Sequence, residues 1–231
     1  MNAWEIFYEQ MFERGGYKKV LDGLGNTVII AVVGLLLGMV IGCLLATCKI
    51  LPKNSILVKF LSGFANVYIA IFRGTPMLVQ LLLIHYVIFP VVGISIPVLA
   101  EAVLAFGFNS GAYVSEIMRG GILSVDVGQT EAGRALGLNY RQTMIRIVLP
   151  QAIKNVIPTL GNEFIALLKE TSVVGFITVV DLTKAFQNIA NSTYEFIVPY
   201  IALALIYLVL VLGVTGLVKL VERRMRASDR R

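Results

Sequence analysis

From Gly23 through Cys48 the chain carries no charged residue. As a helix rising about 1.5 Å per residue, this run extends roughly 39 Å, enough to cross a hydrocarbon core of about 30 Å with some tilt. Gly34, Gly38 and Gly42 recur at every fourth position within it, a doubled small-xxx-small pattern. In lipid, where the hydrophobic effect barely distinguishes one neighbour from another, such a face lets a second helix approach closely. The rest of the chain is built on the same scale. Of its 231 residues 57% are hydrophobic and 15% charged, which places it among membrane proteins and favours one membrane domain of several spans.

Further spans follow from the apolar runs and their punctuation. Thr75 and Pro76 form a helix-start signature, and a second span is expected over about 74–92. The preceding stretch 55–73 has Ser55, Lys59, Ser62 and Asn66 on one helical face and apolar residues opposite. It either lies on the membrane surface or merges into the second span, and both readings stay open. A third span is expected over about 97–119, a fourth over 153–180 with a kink at Pro158, and a fifth over 196–219. Before the first span, Trp4, Phe7, Tyr8, Met11 and Phe12 fall at helical spacing, with Glu5, Glu9 and Glu13 off that stripe. Residues 1–20 therefore read as an interfacial amphipathic helix, and no cleavable signal peptide is expected.

The placement of lysine and arginine orients this array. Lys49, Lys53 and Lys59 follow the first span; Arg134, Arg141, Arg146 and Lys154 lie between the third and fourth; the basic tail "ERRMRASDRR" follows the fifth. With five spans these segments share one side, which the positive-inside rule makes cytosolic, with the N-terminus outside. Arg14, Lys18 and Lys19 dissent, offset by nearby acids. The net charge of +6 is thus a membrane-topology signal, and no nucleic-acid-binding motif accompanies it.

One segment does not fit a plain array of spans. Residues 124–150 form a charged insert on the cytosolic side. Asp126 can cap a helix carrying Gln129, Glu131, Arg134 and Ala135, and Gly137 can stop it. Asn139 can cap a second helix through Ile147, and Pro150 would turn the chain back into the membrane. Two short helices joined at a glycine make a rigid protrusion suited to docking.

"EAGRALGLNYRQTMIRIVLP", Glu131 to Pro150, resembles the EAA loop of ABC-importer permeases. Glu131, Ala132, Gly137, Ile147, Leu149 and Pro150 match at the expected spacing, and Gly133 replaces the usual second alanine. "FRGTPMLVQLLLIHY", "GAYVSEIMRGGI", "LPQAIKNVIPTLGNEFIALLKETSVV" and "LVERRMR" extend the resemblance over nearly the whole chain, to the polar amino-acid uptake branch. The resemblance implies an all-α membrane protein of the type I ABC importer permease fold. Five transmembrane helices, an N-terminal amphipathic helix and cytosolic coupling helices would compose it. It also implies that Glu131, Ala132, Gly133, Arg134, Gly137 and Leu138 couple to a separate ABC ATPase dimer. The further partners implied are an extracytoplasmic solute-binding protein, and a second copy or a related permease. The localisation implied is the bacterial cytoplasmic membrane.

The chemistry present agrees with a transport subunit without catalysis. No phosphate-binding G-x-x-x-x-G-K-[ST] motif occurs, so ATP and Mg²⁺ are expected on the partner ATPase and no cofactor on this chain. The lone His85 and the pair Cys43 and Cys48 match no catalytic, metal or disulfide pattern and read as packing residues. Ionisable residues inside spans are costly and need a reason. Glu163 falls halfway through the fourth span, Asn109 at similar depth in the third, and Gln80 approaches from the second. With Asn162 and Glu116 they are candidates for the path of an amino-acid zwitterion, which needs an acceptor for its ammonium and donors for its carboxylate. Glu116 and Arg119 also read as a structural salt bridge. Lys169 and Glu170 read as a gate or an interfacial pair, and Arg73 as a gate or an anchor for the turn before the second span. The competing readings are a permease for another small solute and an ATPase-independent carrier or channel, which leaves the insert unexplained.

Overall fold

The charge-free run is the middle of one long helix. In the computed structural model, which describes residues 2–51 and 54–228, a capped helix α1 (Ala3–Tyr8) and a wide π-turn (Glu9–Glu13) lead to Gly15. There a left-handed φ of 73° redirects the chain into α2 (Gly16–Ile50). Lys53 and residues 229–231 of the basic tail lie outside the described residues. The elements that follow are α3 (Ile56–Gly74), α4 (Met77–Leu83), α5 (Phe89–Val92), α6 (Val98–Leu123), α7 (Val127–Ala135), α8 (Tyr140–Thr143), α9 (Leu149–Glu170), α10 (Leu182–Thr193) and α11 (Ile197–Ser228).

The glycine stripe of α2 meets α6. A Cβ on Gly34 would lie 3.1 Å from Phe106 Cβ, one on Gly38 2.7 Å from Ser110 Cβ, and one on Gly42 2.6 Å from Val114 Cγ1. The fit is reciprocal, because Gly107 and Gly111 of α6 receive Leu37 and Ile41 of α2. Residue numbers rise together along both helices, so α2 and α6 run parallel. Two consecutive parallel spans require an odd number of traverses between them.

That requirement bears on the open reading of residues 55–73. By length and composition α3 could cross a membrane alone, whereas Met77–Val92 is shorter. Their partners on α6 place them end to end along that one helix. Tyr68 of α3 donates to the Phe108 carbonyl at 2.7 Å, and Gln80 of α4 accepts from Asn109 at 2.8 Å. His85, further along, pairs with Glu101, which lies about 12 Å from Asn109 along α6. The segment thus rises along α3, breaks at Gly74–Pro76 level with the middle of α6, and continues through α4 and α5. We call the two ends of the bundle the α10 end and the α7 end.

Proline shapes two of these elements. It cannot donate to the carbonyl four residues back, and its ring clashes with that carbonyl. Wide π-turns at Ile84–Ile88 and Met144–Val148 lie just before Pro90 and Pro150 and absorb this misfit. The expectation that Pro150 turns the chain is therefore corrected. Helix α8, the π-turn and α9 run on without a break from Tyr140 to Glu170. Pro158 also lies inside α9, which continues through it.

Helix α9 packs antiparallel to α6, with Gly121 against Val156 near one end and Ser110 against Glu163 midway. It stops at Glu170, before the expected limit of the fourth span, and Thr171–Ile177 tighten into a 3₁₀ helix. Asp181 then caps α10, accepting from the Thr183 and Lys184 backbone N–H groups. Leu182, Ala185, Phe186 and Ile189 of α10 bury one stripe against Val20 and Met11. An aspartate N-cap followed by this spacing is a sequence signal for a helix between the expected fourth and fifth spans. Helix α11 returns along α9, where Val218 covers Gly161.

Replacing Gly38 with leucine should force α2 and α6 apart and destabilise the protein by about 1–3 kcal/mol. Gly25→Ala, where an added Cβ meets nothing within 4 Å, should be nearly neutral. Thermal unfolding of the detergent-solubilised protein checks both; equal melting temperatures would refute the packing argument.

Candidate functional site

The break in the second span creates a chemical problem that the neighbouring side chains solve. A helix end leaves its last carbonyls without intrahelical partners, and hydrocarbon offers no water to replace them. Gln80 folds back across the gap. Its Nε2 lies 2.8 Å from the Phe72 carbonyl, 2.9 Å from the Thr75 carbonyl and 2.8 Å from Thr75 Oγ1. Its Oε1 accepts from Asn109 Nδ2 at 2.8 Å. Gln80 and Asn109, both buried, thus clamp the broken span to α6.

Glu163 stands beside this clamp. Its Oε1 accepts from Ser110 Oγ at 3.0 Å, on the residue adjacent to Asn109. Its second oxygen has no hydrogen bond among the described residues, so an acceptor is available at mid-span. Asn162 is exposed on α9 and joins no hydrogen bond of this cluster among the described residues. Glu163, Asn109 and Gln80 therefore converge at one level, with Ser110 and Thr75 as members that sequence reading missed. Ser110 was legible only as the small residue opposite Gly38.

A cleft of about 740 Å³ opens toward the α7 end between α3, α6, α9 and α11. Arg73 and Tyr113 line it, with the guanidinium 5.4 Å from the ring centroid, a cation–π distance. Lys154 and Glu222 add one charge of each sign to its wall. Glu116 also reaches it, but with both oxygens engaged: Lys49 Nζ lies 2.6 Å from Oε1, and Arg119 Nη2 2.8 Å from Oε2. The pairing with Arg119 was expected; the Lys49 partner ties the end of α2 to α6. Lys169 and Glu170 lie away from this cleft, exposed at the α10 end of α9. His85, read as a packing residue, has its Nδ1 against Glu101, an acid that sequence reading had not singled out.

The charged insert is a hairpin projecting from the α7 end. Asp126 caps α7 through the Gly128 N–H. At its other end Gly137 takes a φ of 78°, with its N–H on the Arg134 carbonyl at 3.0 Å and the Leu138 N–H on the Gly133 carbonyl at 3.0 Å. This reciprocal pair is the Schellman arrangement, in which glycine fits the left-handed position without a Cβ clash. Asn139 and Gln142 then close a capping box that starts α8. Glu131, Ala132 and Arg134 are exposed, Leu138 is half-buried, and Leu136 is 80% exposed at the tip. The tip of the hairpin is thus apolar and flanked by charged side chains.

Gly133 has a separate reason to be glycine. It is buried, and a Cβ there would lie 2.8 Å from Thr143 Cγ2, 3.0 Å from Thr143 Oγ1 and 3.1 Å from Ile147 Cδ1. Thr143 of α8 fills the space that a second alanine would occupy.

A protein-family model described as "Binding-protein-dependent transport system inner membrane component" matches residues 34–227. The chain belongs to that family. It is 39% identical over 206 residues to the putative glutamine transport system permease protein GlnP of Rickettsia typhi, covering 89% of this chain and 92% of that one. It is 40% identical over 210 residues to the arginine transport system permease protein ArtQ of Bacillus subtilis, covering 91% and 94%. A crystal structure of an amino acid ABC transporter superposes with a TM-score of 0.85 at 39% identity, over 94% of this chain and 98% of that one. The MetNI methionine ABC transporter shares the fold, with a TM-score of 0.68 at 21% identity over 90% and 95% of the two chains. This is therefore a multi-pass inner-membrane permease of the type I ABC importer fold.

Gly133→Ala should destabilise the hairpin by about 1–3 kcal/mol through overpacking. Gly133→Ala/Thr143→Ala should recover most of that loss, since Thr143 Oγ1 is buried without a hydrogen-bond partner among the described residues. Thermal unfolding of the two variants and wild type checks the order; equal losses would refute the Gly133–Thr143 fit.

Proposed function

We propose that this chain is the membrane-spanning subunit of an ATP-driven importer that moves a polar amino acid into the cell by alternating access. The 39% identity to an amino acid ABC transporter of the same fold carries the reading. The names of the glutamine and arginine permeases support the substrate class. The α7 end faces the cytosol in this reading, where Lys49, Arg134, Arg141, Arg146 and the basic end of α11 gather. The N-terminus and α10 face outward, toward an extracytoplasmic solute-binding protein.

The hairpin formed by α7 and α8 docks in a separate ABC ATPase dimer, which holds ATP and Mg²⁺ and performs the hydrolysis. Glu131, Ala132, Arg134 and Leu136 supply the contact surface, and Gly137 with Leu138 holds its shape. Two arrangements of the membrane helices are biased by different docking contacts in the two ATPase states. Because α8 continues into α9, movement at the docking surface reaches Glu163 directly. A second copy or a related permease completes the path, the helices of one chain being too few to enclose it.

Along the path, Glu163 offers an acceptor for the ammonium group. The cleft beneath it offers Arg73 to a carboxylate. Glu116, with both oxygens engaged, holds α2 and α6 together beside the path, and Gln80 and Asn109 position the break. Lys169 and Glu170 lie at the outer end of α9, beyond the clamp.

Glu163→Gln should leave assembly intact and lower transport or substrate-stimulated ATP hydrolysis at least several-fold. Unchanged affinity and flux would remove Glu163 from the path. Reconstitution with the cognate ATPase and binding protein, across a panel of amino acids, tests the function itself. No stimulation of ATP hydrolysis by any polar amino acid would sink the substrate class.

A further inference from the structure

Two adjoining hollows, of about 220 Å³ and 450 Å³, open at the α10 end. Both are bordered by Ser172, Thr183 and Tyr200; Lys184 edges one and Lys169 the other. They form one groove between the end of α9, the start of α10 and α11. None of these residues belongs to the clamp at Gln80, the charged cleft or the hairpin.

The depth of the groove can be measured along α2. Gly38 touches Ser110 at the level of Glu163, near the middle of the charge-free run. Thr27, whose Oγ1 accepts from the Leu182 N–H at 3.1 Å, lies about 16 Å from Gly38 along the helix. Half of a hydrocarbon core is about 15 Å. The groove beside Thr183 and Lys184 therefore sits where acyl chains give way to phosphates. Lys169 starts about 9 Å from Glu163, and its apolar stem spans most of the remaining distance, as lysines near a membrane boundary commonly do.

The charged side chains that line the groove are the two lysines. Lys184 Nζ is held at 3.0 Å by Gln187 Oε1, a neutral partner. Neither lysine joins an ion pair among the described residues, and the acid beside Lys169 is Glu170. Asp181, though close in sequence, is fully buried and turned onto the backbone of α10. Ser172 adds a hydroxyl, while Thr183 Oγ1 and the Tyr207 hydroxyl pair at 3.0 Å. Toward the membrane centre, the groove's Tyr200–Ala204 edge continues on α11 into exposed Leu208 and Leu212. The groove is thus lined by lysines and hydroxyls at phosphate depth, with apolar side chains of α11 below its edge.

We propose that this groove binds an anionic phospholipid, its phosphate held by Lys169, Lys184 and Ser172 and its acyl chains lying on the exposed face of α11. Charge and depth together select this occupant: a soluble anion would match the lysines but not the apolar face, and a neutral lipid would match only that face. The inference does not depend on which solute the permease moves.

Native mass spectrometry of the assembled transporter, taken from nanodiscs of mixed phosphatidylglycerol and phosphatidylcholine, tests it. Wild type should retain phosphatidylglycerol preferentially. Lys169→Gln and Lys184→Gln should each lower that retention about fivefold, in line with the contribution of one lysine at a charged membrane surface. Lys19→Gln, exposed at the start of α2 and outside the groove, should leave it unchanged. Lys184→Arg, which keeps the charge, should retain the lipid and guards against a folding defect. Equal phosphatidylglycerol retention in wild type and both glutamine variants overturns the proposal. So does displacement of the lipid by millimolar glycerol phosphate, which would mark a soluble-anion site. A third overturning result is unchanged lipid retention with weakened binding-protein stimulation or permease pairing in the glutamine variants, which would mark a protein dock.

Discussion

Backbone polar groups in hydrocarbon must find partners within the protein, and this requirement organises the molecule. An unbroken helix meets it automatically, as α2 does across the charge-free run. Every departure needs a local remedy. Where the second traverse breaks at Gly74–Pro76, the Gln80 amide serves the freed carbonyls of Phe72 and Thr75. Where prolines enter helices at Pro90 and Pro150, the preceding turn widens. The polar residues at mid-span are thus placed first by the needs of the backbone, and the candidate path is assembled around them.

Helix association obeys a related rule. With little hydrophobic force to join α2 and α6, contact depends on how closely the backbones approach. Gly34, Gly38 and Gly42 on one side and Gly107 and Gly111 on the other allow side chains to seat against bare backbone. That seating aligns Ser110 with Glu163, so the geometry of the polar cluster follows from the small residues behind it.

These considerations explain what could be read from the sequence. The charge-free span, the α2 glycine face, the Gly137 stop and the Asn139 cap were legible because each is a local rule of period, charge or φ. The level of Glu163 and Asn109 was legible by counting from charged boundaries. Gln80's role was not, because it depends on where a helix break sits in space rather than on any neighbour in sequence. Pro150 misled because proline usually ends a helix, and a π-turn of ordinary residues leaves no compositional mark. Helix α10 was missed because its apolar stripe is short and lies between two stronger signals.

The continuity of Tyr140–Glu170 has a mechanical consequence. Glu163 lies about 35 Å along this rod from the Asn139 cap. A tilt of about 10° at the hairpin would sweep Glu163 sideways by about 6 Å, twice the length of its hydrogen bond to Ser110. The rod acts as a long-armed lever, so a small rotation imposed at one end is enough to disengage a contact at the other.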